Sequence, residues 1–86
     1  MPTISFFYGI VIKMFFADHA PPHFHVEYAE FKAVIDINQL EIVEGDFPRR
    51  ALGIVLDWAE LHRKELLANW DSCQKKQPPK KIEPLK

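Results

Sequence analysis

The sequence predicts a small α+β domain: an antiparallel sheet of about five short strands covered by one long C-terminal helix. Three observations lead there. Residues 4–44 fall into short runs in which apolar and polar side chains alternate, the period of a half-buried strand. From Pro48 to Cys73 the apolar residues recur instead at helical spacing. Gly45 and Pro48 separate the two regimes, and a chain of 86 residues has the length of one domain.

Taken in order, Ile4 to Phe7 is a β-prone run, and Tyr8-Gly9 is a plausible turn into the next. Ile10 to Phe16 alternates, with Ile10, Ile12, Met14 and Phe16 on one side and Val11, Lys13 and Phe15 on the other. Asp18-His19-Ala20-Pro21-Pro22 interrupts it, because two prolines fix φ and remove two amide donors. His23 to Ala29 is a third strand, with His23, His25 and Glu27 on one face and Phe24, Val26 and Tyr28 on the other. Lys32 to Ile37 and Leu40 to Glu44 follow, joined by Asn38-Gln39, and Gly45 ends the sheet. Short strands in sequence make an antiparallel meander the simplest topology.

Asp46 is placed to cap a helix whose early position suits Pro48. Leu52, Val55, Leu56, Ala59, Leu66 and Trp70 form the stripe that packs on the sheet. Ile54, Trp58 and Leu61 lie towards the opposite side of the wheel, where one sheet cannot also bury them. A tryptophan-centred trio reads as a contact face for a small protein partner or a second copy of the chain. The alternative cover is the chain's own segment Ile82 to Leu85, folded back.

The organisation is then one domain over residues 1–74 and a basic, proline-containing tail over 75–86. Residues 1–74 carry six Lys/Arg against eleven Asp/Glu; residues 75–86 carry five Lys against Glu83. The acidic body argues against a broad phosphate-binding face, and the tail reads first as a solvated end. A nucleic-acid-binding arm is its sharper reading. A lone Cys73 forms no internal disulfide, no stretch has membrane-spanning length, and no signal-peptide pattern opens the chain. The expectation is a cytoplasmic protein without a membrane partner.

Chemistry concentrates in Asp18 to Tyr28, where His19, His23 and His25 fall within seven residues. His23 and His25, two apart on a strand, project the same way at roughly 7 Å spacing. Two such rings converge on one metal ion, and His19 or Asp18 from the stiffened loop supplies a third ligand. A divalent metal such as zinc is the cofactor this pattern allows. His62, at the edge of the helical stripe, is placed to reach the same neighbourhood, followed by Glu65 and Asn69. The plainer reading makes all four histidines structural, bonded to loop and helix.

Two known patterns were tested against this segment. His23-Phe24-His25 with Glu30 matches the centre of a cupin metal motif, but its flanking glycines and second motif are missing. His-Phe-His-Val-Glu matches the start of a histidine-triad hydrolase motif, but Glu27 stands where its third histidine belongs. Covalent nucleophiles are poorly placed as well. Ser5 is in a strand, Ser72 ends a helix, and Cys73 sits where the helix dipole disfavours a thiolate.

Gly9-Ile10 to Met14, Asp18-His19-Ala20-Pro21-Pro22-His23-Phe24-His25-Val26, Trp58-Ala59 to His62 and Glu65-Leu66 to Asn69-Trp70 carry a further signal. With the opening Met-Pro-Thr-Ile and the ending around Ile82, Pro84 and Leu85, they resemble a small bacterial domain-of-unknown-function family, four-one-six-zero. The resemblance brings no catalytic residues. It implies one half of a pair that looks like a toxin–antitoxin module, with this chain the toxin-like half. Two functional expectations follow. One is an interaction module binding a partner through Ile54, Trp58 and Leu61; the other is a histidine-based, metal-dependent nuclease or hydrolase using His19, His23, His25 and His62.

Overall fold

The computed structural model describes residues 3–85; Met1 and Pro2 of the opening and Lys86 of the basic tail lie outside them. Five strands, β1 (Thr3–Phe7), β2 (Ile10–Lys13), β3 (His23–Tyr28), β4 (Phe31–Asp36) and β5 (Ile42–Asp46), precede two helices, α1 (Arg49–Leu61) and α2 (Arg63–Gln74). The strands pair in chain order, every neighbour antiparallel. The α+β meander is therefore as expected.

Local chemistry explains the turns. Tyr8 and Gly9 both have positive φ, 51° and 78°, the backbone of a two-residue hairpin turn. Tyr28 and Phe31 close the next hairpin around Ala29 and Glu30. Between β4 and β5, the Asp36 carboxylate accepts the Gln39 amide at 2.7 Å and its carbonyl accepts the Leu40 amide at 2.9 Å.

Several boundaries differ from expectation. β2 stops at Lys13, because Ala17 turns the chain with φ 52° into the Asp18 loop. β5 starts at Ile42 and holds Gly45 within it, at φ +88°, where an added Cβ would collide with the Lys32 carbonyl. Asp46 is the last strand residue and caps nothing; Pro48 occupies the N-cap without a side-chain bond. The single long helix is in fact two. His62 adopts φ −116°, ψ 22°, and its amide is shared between the Trp58 and Ala59 carbonyls. The Leu66 amide still reaches the His62 carbonyl at 2.9 Å, so the apolar stripe carries across the break.

The core lies between one sheet face and the helices. Ile4, Ile10, Ile12, Met14, Phe24, Val26 and Ile35 meet Val55, Trp58, Ala59, Leu66 and Cys73, all of them buried. Burial also pushes the Cys73 thiol above its ordinary value, so it is a packing residue and no nucleophile.

The tail is no solvated arm. The Ile82 amide donates to the Ile4 carbonyl at 2.8 Å and Ser5 Oγ donates to the Ile82 carbonyl at 3.0 Å, along the outer edge of β1. Asn69 holds Lys80 through both its backbone groups, each at 2.9 Å. Trp58 Nε1 donates to the Glu83 carbonyl at 2.9 Å. Unpaired edge donors and acceptors favour such cover. Lys75, Lys76, Lys80 and Lys81 remain exposed. No helix among the described residues is long and apolar enough to cross a membrane.

Candidate metal centre

The Asp18 loop leaves β2 and returns into β3, and the far end of α2 fixes it from outside. The Ala17 amide donates to the Cys73 carbonyl at 3.0 Å, and Gln74 Nε2 donates to the Asp18 carbonyl at 2.8 Å. At the start of β3 the Ile37 amide binds the Pro22 carbonyl at 3.0 Å. The loop backbone is thus tied to the helix and to the end of β4.

Within that frame Asp18 divides its two oxygens. Oδ1 accepts the His19 amide at 2.9 Å. Oδ2 faces two imidazoles, 2.8 Å from His23 Nε2 and 3.0 Å from His25 Nε2. Both rings pack against aromatic neighbours in tilted contacts, His23 against Trp70 at 4.9 Å and His25 against Phe15 at 4.0 Å. Their centroids are 5.2 Å apart at 70°, so the edges meet while the planes cross. All three side chains are largely withdrawn from solvent, at 16% exposure for Asp18, 11% for His23 and 21% for His25.

The other nitrogen of His23 decides what this meeting can hold. His23 Nδ1 lies 2.8 Å from the Pro21 carbonyl oxygen, which only accepts, so Nδ1 carries the proton. In the neutral ring, Nε2 then presents its lone pair to Asp18 Oδ2. Two lone pairs at 2.8 Å repel unless a proton or a cation lies between them. One ligand atom from each of Asp18, His23 and His25 lies within 4.8 Å of the others, a group able to surround a metal ion. An imidazole fixed by donating its second nitrogen to a backbone carbonyl is the usual support of a metal-bound histidine.

With protons on the imidazoles, the same contacts act on the Asp18 carboxyl. Burial alone pushes the Asp18 carboxyl up, but hydrogen bonds from His25, His23 and the His19 amide, with the His23 charge, hold it below its ordinary value. The ionised form of Asp18 is therefore favoured.

The trio opens into a groove of about 550 Å³ that His19, Pro21, Phe15, Val34, Val43 and Glu44 also line. Of the sequence candidates, Asp18, His23 and His25 come together. His19 is exposed on the groove wall, and its ring is outside the trio. His62 does not join them: its Nδ1 pairs with Glu65 Oε1 at 2.6 Å and its ring lies on Trp58 at 5.5 Å. Glu44 also lines this groove; its place in one row with His25 and Val34 depends on register across three strands, which alternation within one strand does not reveal.

The expected partner face is corrected by the same structure. Trp58 is fully buried, packed on Phe7 and Phe24 and roofed by residues 82–83 of the tail. Ile54 is half-buried, and Leu61 alone stands open at 72% exposure. The apolar trio is thus split, because the chain itself covers its centre.

Comparison with known proteins adds a family. The family model described as Domain of unknown function (DUF4160) matches residues 9–71, which include β2 to β5, the Asp18 loop, α1 and most of α2. No curated protein and no solved structure matches the chain.

Proposed function

The chain belongs to the DUF4160 family, and from the geometry of its histidine corner we propose that it is a metal-dependent hydrolase. Asp18, His23 and His25 hold one divalent ion, with zinc the first candidate. One observation carries the reading: His23 Nδ1 is committed to the Pro21 carbonyl while its Nε2 faces a carboxylate oxygen shared with His25. That arrangement has a natural occupant in a cation.

Two histidines and one carboxylate are a ligand set of catalytic zinc, leaving at least one position for water or substrate. An ion there supplies Lewis-acid polarisation and a lowered water pKa. Two neutral imidazoles and one carboxylate leave the ion and its three ligands with one positive charge, and the Glu44 carboxylate lines the same groove. A phosphate ester, which the Lewis acidity of such an ion activates, is the substrate class of this reading. Phe15 and Val34 give the groove its apolar wall, and exposed His19 stands beside it as a polar contact. The interaction-module reading loses its anchor, since Trp58 lies under the tail and Leu61 alone makes a small patch.

The test is elemental analysis of purified, untagged protein after dialysis with zinc, beside a His23→Ala/His25→Ala variant. The reading expects near-stoichiometric zinc in the parent and none in a still-folded variant. A parent that keeps no metal would make the trio a hydrogen-bonded structural cluster and remove the hydrolase reading.

A further inference from the structure

Beyond the three ligands, we infer that Glu44 is the general base of this site, the group that takes the proton from the attacking water. The inference rests on the metal reading above and deepens it.

Register places the residue. His25 pairs with Val34 on β4, and Val34 pairs with Glu44 on β5, so the three share one row across the open face of the sheet. Two strand spacings put their backbones about 10 Å apart. Val34 is the only side chain between them in that row, and it is too short to bridge the gap. His25, Val34, Phe15 and Glu44 line the groove that contains the metal ligands and also the depression adjoining it. Glu44 is not in the group whose ligand atoms converge. Glu44 thus shares the groove with the ligands without being one of them, on the strand two away from His25.

Availability separates it from its neighbour. Glu27 faces the same side two residues after His25, but its carboxylate is 3.0 Å from Lys13 Nζ. The Glu44 side chain has no hydrogen bond or ion pair among the described residues. Glu44 is exposed to solvent, so its oxygens are open to water, as exchange of protons with a substrate water requires.

The step balances simply. Glu44 would remove one proton from the attacking water while the water oxygen bonds to phosphorus. The ester P–O bond breaks, its electron pair leaves with the alcohol oxygen, and the proton passes from Glu44 to that oxygen.

The experiment compares zinc-loaded parent, Glu44→Gln and Glu44→Asp, with bis(p-nitrophenyl) phosphate as the probe. Glu44→Gln is expected to keep the parent's circular dichroism, zinc stoichiometry and, in the cobalt-substituted form, visible absorption. Its turnover falls by about 100-fold or more, the usual contribution of a positioned acid–base group. Glu44→Asp recovers part of the rate. A Glu44→Gln protein within about threefold of the parent overturns the inference, as does altered cobalt absorption, which would make Glu44 a ligand. Zinc-bound parent without turnover also counts against it. Failure of parent to bind zinc is a separate result, which removes the metal reading itself.

Discussion

Two histidine–carboxylate pairings in this molecule look alike on paper and differ in construction. His62 and Glu65 are three residues apart, joined by one 2.6 Å contact. The His62 ring also rests against Trp58, but Glu65 is 54% exposed and has no other hydrogen bond among the described residues. Asp18, His23 and His25 are drawn from a loop and a strand, and every member has a second restraint. His23 is fixed by the Pro21 carbonyl and Trp70, His25 by Phe15, and Asp18 by the His19 amide and Gln74. A local helical pair forms wherever the spacing permits and contributes little. A corner restrained from several elements holds its geometry whether or not a ligand is present, as a metal site requires. The comparison teaches that proximity alone does not make the two corners alike: one is local, the other is assembled from several elements.

Breaking the two pairings should separate them widely. His23→Ala/His25→Ala should weaken zinc binding by more than about 100-fold by titration calorimetry, beyond the 10–100-fold that a supporting group costs. His62→Ala should leave zinc affinity unchanged. If His62→Ala weakens binding as much, the two corners are one site and the comparison collapses.

Gln74→Ala sharpens it at an intermediate scale, by removing the tether from α2 to the Asp18 carbonyl. About tenfold weaker zinc binding with an unchanged cobalt spectrum is expected. An unchanged affinity would mean that the loop is rigid without the helix.

Stability measurements bear on the frame around the two corners. Truncation after Pro79 removes the tail's bonds to Ile4, Ser5, Trp58 and Asn69 and the buried Ile82. Urea unfolding should show a loss of roughly 3–6 kcal/mol, from lost hydrogen bonds and apolar burial together. Retained stability would mean that the tail is dispensable cover. Gly45→Ala, forced to φ +88° against the Lys32 carbonyl, should cost about 1–3 kcal/mol by the same measurement. Smallest is His62→Ala, below about 1 kcal/mol, since its partner is a largely exposed carboxylate.

Much of this was legible in the sequence, for identifiable reasons. Alternation at Phe24, Val26, Ala33 and Ile35 fixed the buried sheet face, because a side-chain period of two admits only one register of burial. The His23/His25 spacing on a strand pointed to His19 or Asp18 on the proline loop, and alternation could not say which of the two converges; Asp18 does. The helix break at His62 left no trace, since Ala59, Leu66, Trp70 and Cys73 keep helical spacing across it. Lysines and prolines favoured a solvated tail, but the alternative, Ile82 to Leu85 folded back, is what the structure holds, through backbone groups and one apolar side chain, Ile82. Trp58 was misplaced because a wheel shows which face is apolar and says nothing of what covers it. Glu44 needed strand order, a non-local fact.

The most direct test is diffraction from crystals grown with zinc, with anomalous data collected at the zinc absorption edge. A single strong peak about 2.0–2.2 Å from His23 Nε2, His25 Nε2 and an Asp18 oxygen is expected, with His23 Nδ1 still on the Pro21 carbonyl. A clean map there, with Asp18 and His23 still 2.8 Å apart, or a peak at His62 and Glu65 instead, would contradict it.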